Sequence, residues 1–138
     1  MSKALKIERF GQNFFSLLEE MVDDEESRRL FGHLSAEEES HCQMFREELQ
    51  ANGGEIAQED DIDPDKIFNV GVAKIIRKGS ASVFTFAIQI EQRMIDFYRT
   101  SMNDINDSGF RKFLSNLIEF EETHKQVLNE KLAQVQPA

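Results

Sequence analysis

Six side chains in this chain are of types that bind first-row transition metals, and they recur at matched spacings. Two Glu-x-x-His motifs, Glu38 to His41 and Glu121 to His124, place a carboxylate three residues before an imidazole. Residues three apart lie on one face of an α-helix, so each motif would present both groups in the same direction. This combination of ligands suits iron or manganese, and zinc also accepts it. A single such motif is weak support for a metal site, because it occurs often on helix surfaces.

The two halves of the chain match one another at one fixed offset. A shift of 83 residues superimposes the two motifs and also relates two upstream glutamates, Glu8 and Glu91. The same shift, without a gap, aligns further pairs: Phe14 with Phe97, Phe15 with Tyr98, Leu34 with Leu117, and Phe45 with Leu128. Coincidence explains this poorly, whereas a duplicated helical hairpin explains it well.

Four long helices would position these residues, and apolar residues at helical spacing predict all four. The acidic turn at 23–26, in which Asp23 and Glu26 are the candidate cap, separates the first two helices. Residues 52–54 read Asn-Gly-Gly and end the second helix, and the turn at 106–109 separates the last two. We predict a first hairpin over 1–51, a crossover over 52–79 with a possible short helix, and a second hairpin over 80–134.

Each candidate ligand falls on an otherwise apolar helix stripe, which predicts that its side chain is buried. The stripes are Glu8, Gly11, Phe15, Leu18 and Val22; Phe31, Leu34, Glu38, His41 and Phe45; Phe84, Ala87, Glu91, Met94 and Tyr98; and Phe110, Leu114, Leu117, Glu121, His124 and Leu128. Burying four carboxylates without partners would be costly or would force them to bind protons. No lysine or arginine lies on these stripes at the same level, so two divalent ions would balance the four charges.

This ligand set is that of the carboxylate-rich bundles that hold two metal ions. In them, two helices each give one glutamate and two others each give a Glu-x-x-His motif, and the ions lie about 3.5–4 Å apart. We therefore predict an all-α four-helix bundle, as one domain over 1–138, with two iron ions, or else manganese or zinc. The predicted ligands are Glu8, Glu38, His41, Glu91, Glu121 and His124. His33 lies outside the pattern and is interpreted as an exposed histidine.

Composition and charge argue against several other classes of function. The formal net charge of −10 disfavours nucleic acid and anionic lipid as partners. No apolar run approaches the roughly 20 residues of a membrane span, and the N-terminus lacks the apolar core of a signal peptide. The single cysteine, Cys42, cannot form an internal disulfide, which suits a reducing compartment. We expect a cytoplasmic protein with no membrane or nucleic-acid partner.

These residues resemble the ferritin-like superfamily, and most closely its rubrerythrin-like branch. The resemblance lies in residues 4–15, 34–41, 90–98 and 120–124, and extends over nearly the whole chain apart from the crossover. It implies a ferritin-like bundle in which Glu38 and Glu121 bridge or chelate the ions and each histidine binds one ion. It also implies that Tyr98 donates a hydrogen bond to a ligand carboxylate, on one side only, because its repeat partner is Phe15.

The resemblance further implies an oxidoreductase that reduces hydrogen peroxide or dioxygen, and a homodimer. Full rubrerythrins carry a rubredoxin-like module with four cysteines, which this chain lacks, so the electrons would come from a separate donor protein. Met94 stands where rubrerythrins have an extra glutamate, which puts the peroxide specificity linked to that residue in doubt. Two alternatives stay open: a ferroxidase or iron-handling protein, and a redox-silent metal-binding bundle. The bundle could close within one chain or exchange hairpins between two chains.

Overall fold

The computed structural model describes residues 2–51 and 72–135, and every regular element within these two stretches is a helix. The helices are α1 (Ser2–Met21), α2 (Glu25–Ala51), α3 (Val72–Arg77), α4 (Ser80–Met102) and α5 (Ser108–Val135). The prediction of an all-α fold is confirmed. Of the predicted crossover, only the end that contains the short helix α3 is described, and residues 52–71 lie outside the described stretches.

The chain divides into two compact units, Met1–Val72 and Ala73–Ala138. The first contains α1 and α2, and the second contains α4 and α5. A turn of three residues joins α1 to α2 and a turn of five joins α4 to α5, so each unit is an antiparallel hairpin. The prediction of a single domain over 1–138, with hairpins over 1–51 and 80–134, stays a prediction.

Aromatic and aliphatic side chains fill the contact between α1 and α2. The rings of Phe15 and Phe31 stack with their centroids 6.1 Å apart, and both side chains are fully buried. Burial of one such side chain contributes about 1.5–3 kcal/mol to stability. The hydroxyl groups of Ser16 and Ser35 lie 2.6 Å apart and form a polar link between the two helices.

The second unit repeats this arrangement with different side chains. Tyr98 is fully buried on α4, as its repeat partner Phe15 is on α1. Leu117 and Leu128 are fully buried on α5, where α2 has Leu34 and Phe45. At the end of α4, the Arg111 guanidinium donates hydrogen bonds to the backbone carbonyls of Met102 and Ile105. The first bond satisfies a carbonyl group at the end of α4, and the second contacts the turn that follows the helix.

None of the helices in the described stretches has both the length and the apolar character that crossing a membrane requires.

The first turn of α2 is capped by Asp24, and the prediction that Asp23 caps it was wrong by one residue. The backbone N–H of Ser27 donates to Asp24 Oδ2 over 2.8 Å, which is the bond that an N-cap residue makes to the third helical position. Asp23 lies one residue too early to reach that N–H. Hydrogen bonds from the Ser27 hydroxyl and then from its backbone lower the pKa of Asp24, because they stabilise the ionised carboxylate.

Replacing Asp24 by alanine should lower the free energy of unfolding by about 1 kcal/mol near pH 7, because the cap is lost. A carboxyl whose pKa is lowered in the folded state contributes stability above its ordinary value of 3.8, and this contribution is lost as the pH falls through the lowered value. The deficit of the variant relative to the wild type should therefore shrink below about pH 4. Urea unfolding of the metal-free protein at several pH values measures this difference in the free energy of unfolding. Asp24→Asn serves as a control that keeps a capping oxygen. A deficit that is unchanged in strong acid would contradict the assignment.

Candidate metal centre

The first unit brings three of the predicted ligands together at the contact between α1 and α2. Glu8 comes from α1, and Glu38 and His41 come from successive turns of α2. His41 Nδ1 lies 3.6 Å from Glu8 Oε2 and 3.6 Å from Glu38 Oε2. Both carboxylates are completely buried, and His41 is 3 % exposed. We call these three residues the first triad.

The second unit contains the same arrangement 83 residues later. Glu91 comes from α4, and Glu121 and His124 come from α5. His124 Nδ1 lies 3.5 Å from Glu91 Oε1 and 3.4 Å from Glu121 Oε2. Both carboxylates are again completely buried, and His124 is 3 % exposed. These residues form the second triad, and its geometry agrees with that of the first within a few tenths of an ångström.

The apolar stripes explain why these polar groups are buried. On α5 the buried residues are the six that form the predicted stripe: Phe110, Leu114, Leu117, Glu121, His124 and Leu128. On α1, the residues that flank Glu8 along the same face, from Gly11 to Val22, are also buried. A helix that buries these apolar neighbours must bury the carboxylate between them as well.

The buried charge in the triads is acidic, and the described part of the chain has no buried lysine or arginine to balance it. Among the described side chains, the buried polar or charged residues are the two triads and Ser35, with no lysine or arginine among them. Four ionised carboxylates in such surroundings carry a large desolvation cost. A bound cation would remove that cost, whereas two neutral histidines would not.

The separations within each triad fit donor atoms that share a metal ion. The distances between imidazole nitrogen and carboxylate oxygen are 3.4–3.6 Å, longer than the usual 2.7–3.2 Å of a hydrogen bond. Metal–ligand bonds to these groups are about 2.0–2.2 Å long, which puts two donors on one ion about 3–3.5 Å apart. In each triad, the candidate ligand atoms also lie within 4.8 Å of one another. The residues present therefore fit a metal ion by charge, by donor type and by spacing.

Family comparison agrees with this geometry. The model of the Rubrerythrin family matches residues 1–132. The chain belongs to the rubrerythrin family. No curated protein and no solved structure gave a significant match to it. Membership of the rubrerythrin family confirms the predicted ferritin-like fold class, and together with the buried glutamate and histidine clusters it fits a di-iron protein.

Other residues singled out in the sequence fall where their patterns indicated. His33 is exposed on α2, where its Nε2 lies 2.6 Å from Oε1 of Glu37. Cys42 is fully buried and is not part of a disulfide. Tyr98 lies on α4 seven residues after Glu91, hence two turns further along the same face. Its hydrogen bond to a ligand carboxylate stays a prediction.

Sequence reasoning missed several polar contacts beside the triads, including the one from Arg99 on α4 to Glu122 on α5. Two others join residues that both lie next to ligands. Arg9 on α1 bonds to Glu39 on α2, and Lys125 on α5 bonds to Gln92 on α4. All four residues directly follow predicted ligands in the sequence. Their position next to the ligands was the only indication in the sequence that they could lie beside the triads. It does not predict which of several polar neighbours each long side chain contacts.

Replacing Glu38 by glutamine should have opposite effects on the metal-free and the metal-loaded protein. Without metal, the variant should be more stable than the wild type by about 1–3 kcal/mol, because one buried charge is removed. With ferrous iron, the wild type should gain more stability than the variant, because the variant lacks one charged ligand. Thermal unfolding with chelator and with iron measures both effects.

Glu47→Gln removes an exposed carboxylate from the same helix and serves as the matched control, which should change neither value. An iron-induced gain in Glu38→Gln equal to that of the wild type would contradict a ligand role for Glu38.

Proposed function

We propose that this protein is a non-haem di-iron oxidoreductase in which the two triads jointly bind two iron ions. The observation that carries the proposal is the repetition of one buried triad, Glu, Glu and His, with matching separations of 3.4–3.6 Å in both units. Membership of the rubrerythrin family supports the choice of iron. The donor set alone would also suit manganese or zinc.

Two ferrous ions held by these residues would supply the two electrons that, with two protons from solvent, reduce hydrogen peroxide to water or dioxygen to hydrogen peroxide. The four carboxylates neutralise the positive charge of two ferrous ions, and the neutral imidazole of each histidine adds a donor without adding charge. Glutamate can bind through one oxygen or through both, so these side chains can adjust when the charge on the metals rises. The nearly complete burial of all six groups keeps bulk water away from them.

The same burial favours a small, uncharged oxidant. Hydrogen peroxide and dioxygen are both neutral near pH 7, and neither bears the desolvation cost that an anion would meet among buried carboxylates. A four-cysteine iron centre cannot form within residues 1–138, whose only cysteine is Cys42, so the proposed electron donor is a group outside these residues, such as a separate electron-transfer protein. We further propose that the protein forms a homodimer and that it is cytoplasmic. The reducing conditions of the cytoplasm suit a chain with a single cysteine.

Anaerobic loading with ferrous iron, followed by desalting, should leave about two irons per chain, since paired carboxylate sites hold two ions. Hydrogen peroxide should then oxidise both irons, and a reductant should restore them, as followed by absorbance in stopped flow. Glu121→Ala should lose most of the iron and the reaction, whereas Glu119→Ala, which changes an exposed acid on the same helix, should keep both.

Zinc retained in place of iron, with no response to peroxide, would contradict the redox proposal and favour a redox-silent bundle. Iron uptake far beyond two ions per chain would favour iron handling.

Tyr98→Phe should leave the fold unchanged, because the repeat position in the first unit already holds the equally buried Phe15. If the hydroxyl group supports a ligand carboxylate, iron affinity should fall about tenfold, the lower end of the range for lost outer partners of metal ligands. Competition with a chelator measures the affinity, and the unfolding midpoint of the metal-free protein checks the fold. Equal iron affinities in the variant and the wild type would contradict a role for the Tyr98 hydroxyl group in supporting a ligand carboxylate.

A further inference from the structure

The missed contact in the first unit links the two helices at the level of the first triad. Arg9 Nη1 donates to Glu39 Oε2 over 2.8 Å, from α1 to α2. Arg9 directly follows Glu8, and Glu39 directly follows Glu38, so the contact joins the residues next to both carboxylates of the triad. We call this ion pair the first brace.

A missed contact in the second unit, the second brace, links the corresponding helices through a different pair. Lys125 Nζ donates to Gln92 Oε1, from α5 to α4. Gln92 directly follows Glu91, but Lys125 directly follows His124. The second brace therefore joins the neighbours of a glutamate and a histidine, whereas the first joins the neighbours of two glutamates.

The two braces differ because the residues at corresponding positions of the two repeats differ. At an offset of 83, Arg9 corresponds to Gln92 and the buried Cys42 corresponds to Lys125. Each unit thus has one cation at this pair of positions, on the first helix of one hairpin and on the second helix of the other. The ligands are repeated unchanged, and so is the glutamate that follows each Glu of the Glu-x-x-His motifs, whereas the residues that follow the upstream glutamates and the histidines differ.

Both braces lie at the level of the ligands along their helices. Successive residues on a helix differ by 1.5 Å along the axis and by about 100° around it, so each brace residue leaves its helix at the level of a ligand. The side chains of Arg9 and Lys125 are only 25 % and 28 % exposed, so solvent screens their contacts less than those of a fully exposed pair. Each contact joins two ligand-bearing helices close to the triad that they carry.

We propose that Arg9 and Lys125 are positioning residues of the metal centre, and that their two different braces make the two metal positions inequivalent. The proposal rests on the proposed function insofar as it takes both triads as metal ligands. The first brace sets the affinity of the position next to His41, and the second brace sets that of the position next to His124. The two ions consequently bind in two separable steps.

Cobalt(II) titration of the whole chain tests this, because cobalt accepts the same donors and its visible absorption reports coordination without turnover. The wild type should show two steps. Arg9→Met should weaken one step by about three- to tenfold, below the 10–100-fold cost of losing a direct outer partner of a ligand, and Lys125→Met should weaken the other step. Variants in which one triad lacks its histidine show which step belongs to which triad. Arg9→Met should weaken cobalt binding when it is combined with His124→Ala, but not when it is combined with His41→Ala. Lys125→Met should weaken cobalt binding in the His41→Ala protein and not in the His124→Ala protein.

Conservative variants and matched controls separate positioning from general stability. Arg9→Lys and Lys125→Arg keep a cationic donor and should recover most of the affinity. Arg29→Met makes the same charge change at an exposed ion pair with Glu25, within α2 and away from the triad, and should leave both steps unchanged. The unfolding midpoint of each metal-free variant is measured alongside.

Equal weakening of both steps by Arg9→Met, or a lowered unfolding midpoint with unchanged affinities, would overturn the positioning role. A wild type that binds two ions in steps that neither variant alters overturns this inference and leaves the proposed function standing. A wild type that binds no cobalt and no iron overturns the proposed function itself.

Discussion

The burial of four carboxylates is the constraint on which the rest of this structure depends. Each lies on an apolar helix stripe and has no exposed surface, and the described part of the chain places no lysine or arginine among its buried residues. Such a core is a poor solution for stability alone, because apolar side chains of similar size would avoid the desolvation cost. It is a good solution for binding cations, which the same carboxylates neutralise. An unfavourable metal-free state is the expected cost of a core that fits metal ions in this way.

Duplication of one hairpin is the simplest way to build this site from a short chain. Each copy gives one triad, and the two triads agree in ligand type, helix position and separation. The copies differ mainly around the ligands, with Phe15 against Tyr98 and Arg9 against Gln92. Ligand identity is restricted by the metal, whereas the surrounding positions can diverge and make the two halves chemically distinct.

The sequence was sufficient to predict what periodicity and charge determine. The buried residues of α5 are those of its predicted stripe, and both triads assemble within their hairpins as the Glu-x-x-His spacing indicated. The cap of α2 was missed by one residue, because four consecutive acids offer several caps and only the backbone of the first turn selects Asp24. The braces were missed because Arg9 and Lys125 have long side chains with several polar neighbours, and only packing decides between them.

Anomalous X-ray diffraction at the iron edge, from crystals of the iron-loaded protein, tests the central claim most directly. Two peaks about 3.5–4 Å apart are expected, one within bonding distance of His41 and the other within bonding distance of His124. The four buried glutamates should be the remaining protein ligands. Iron found only at surface carboxylates, with both triads empty, would contradict that claim.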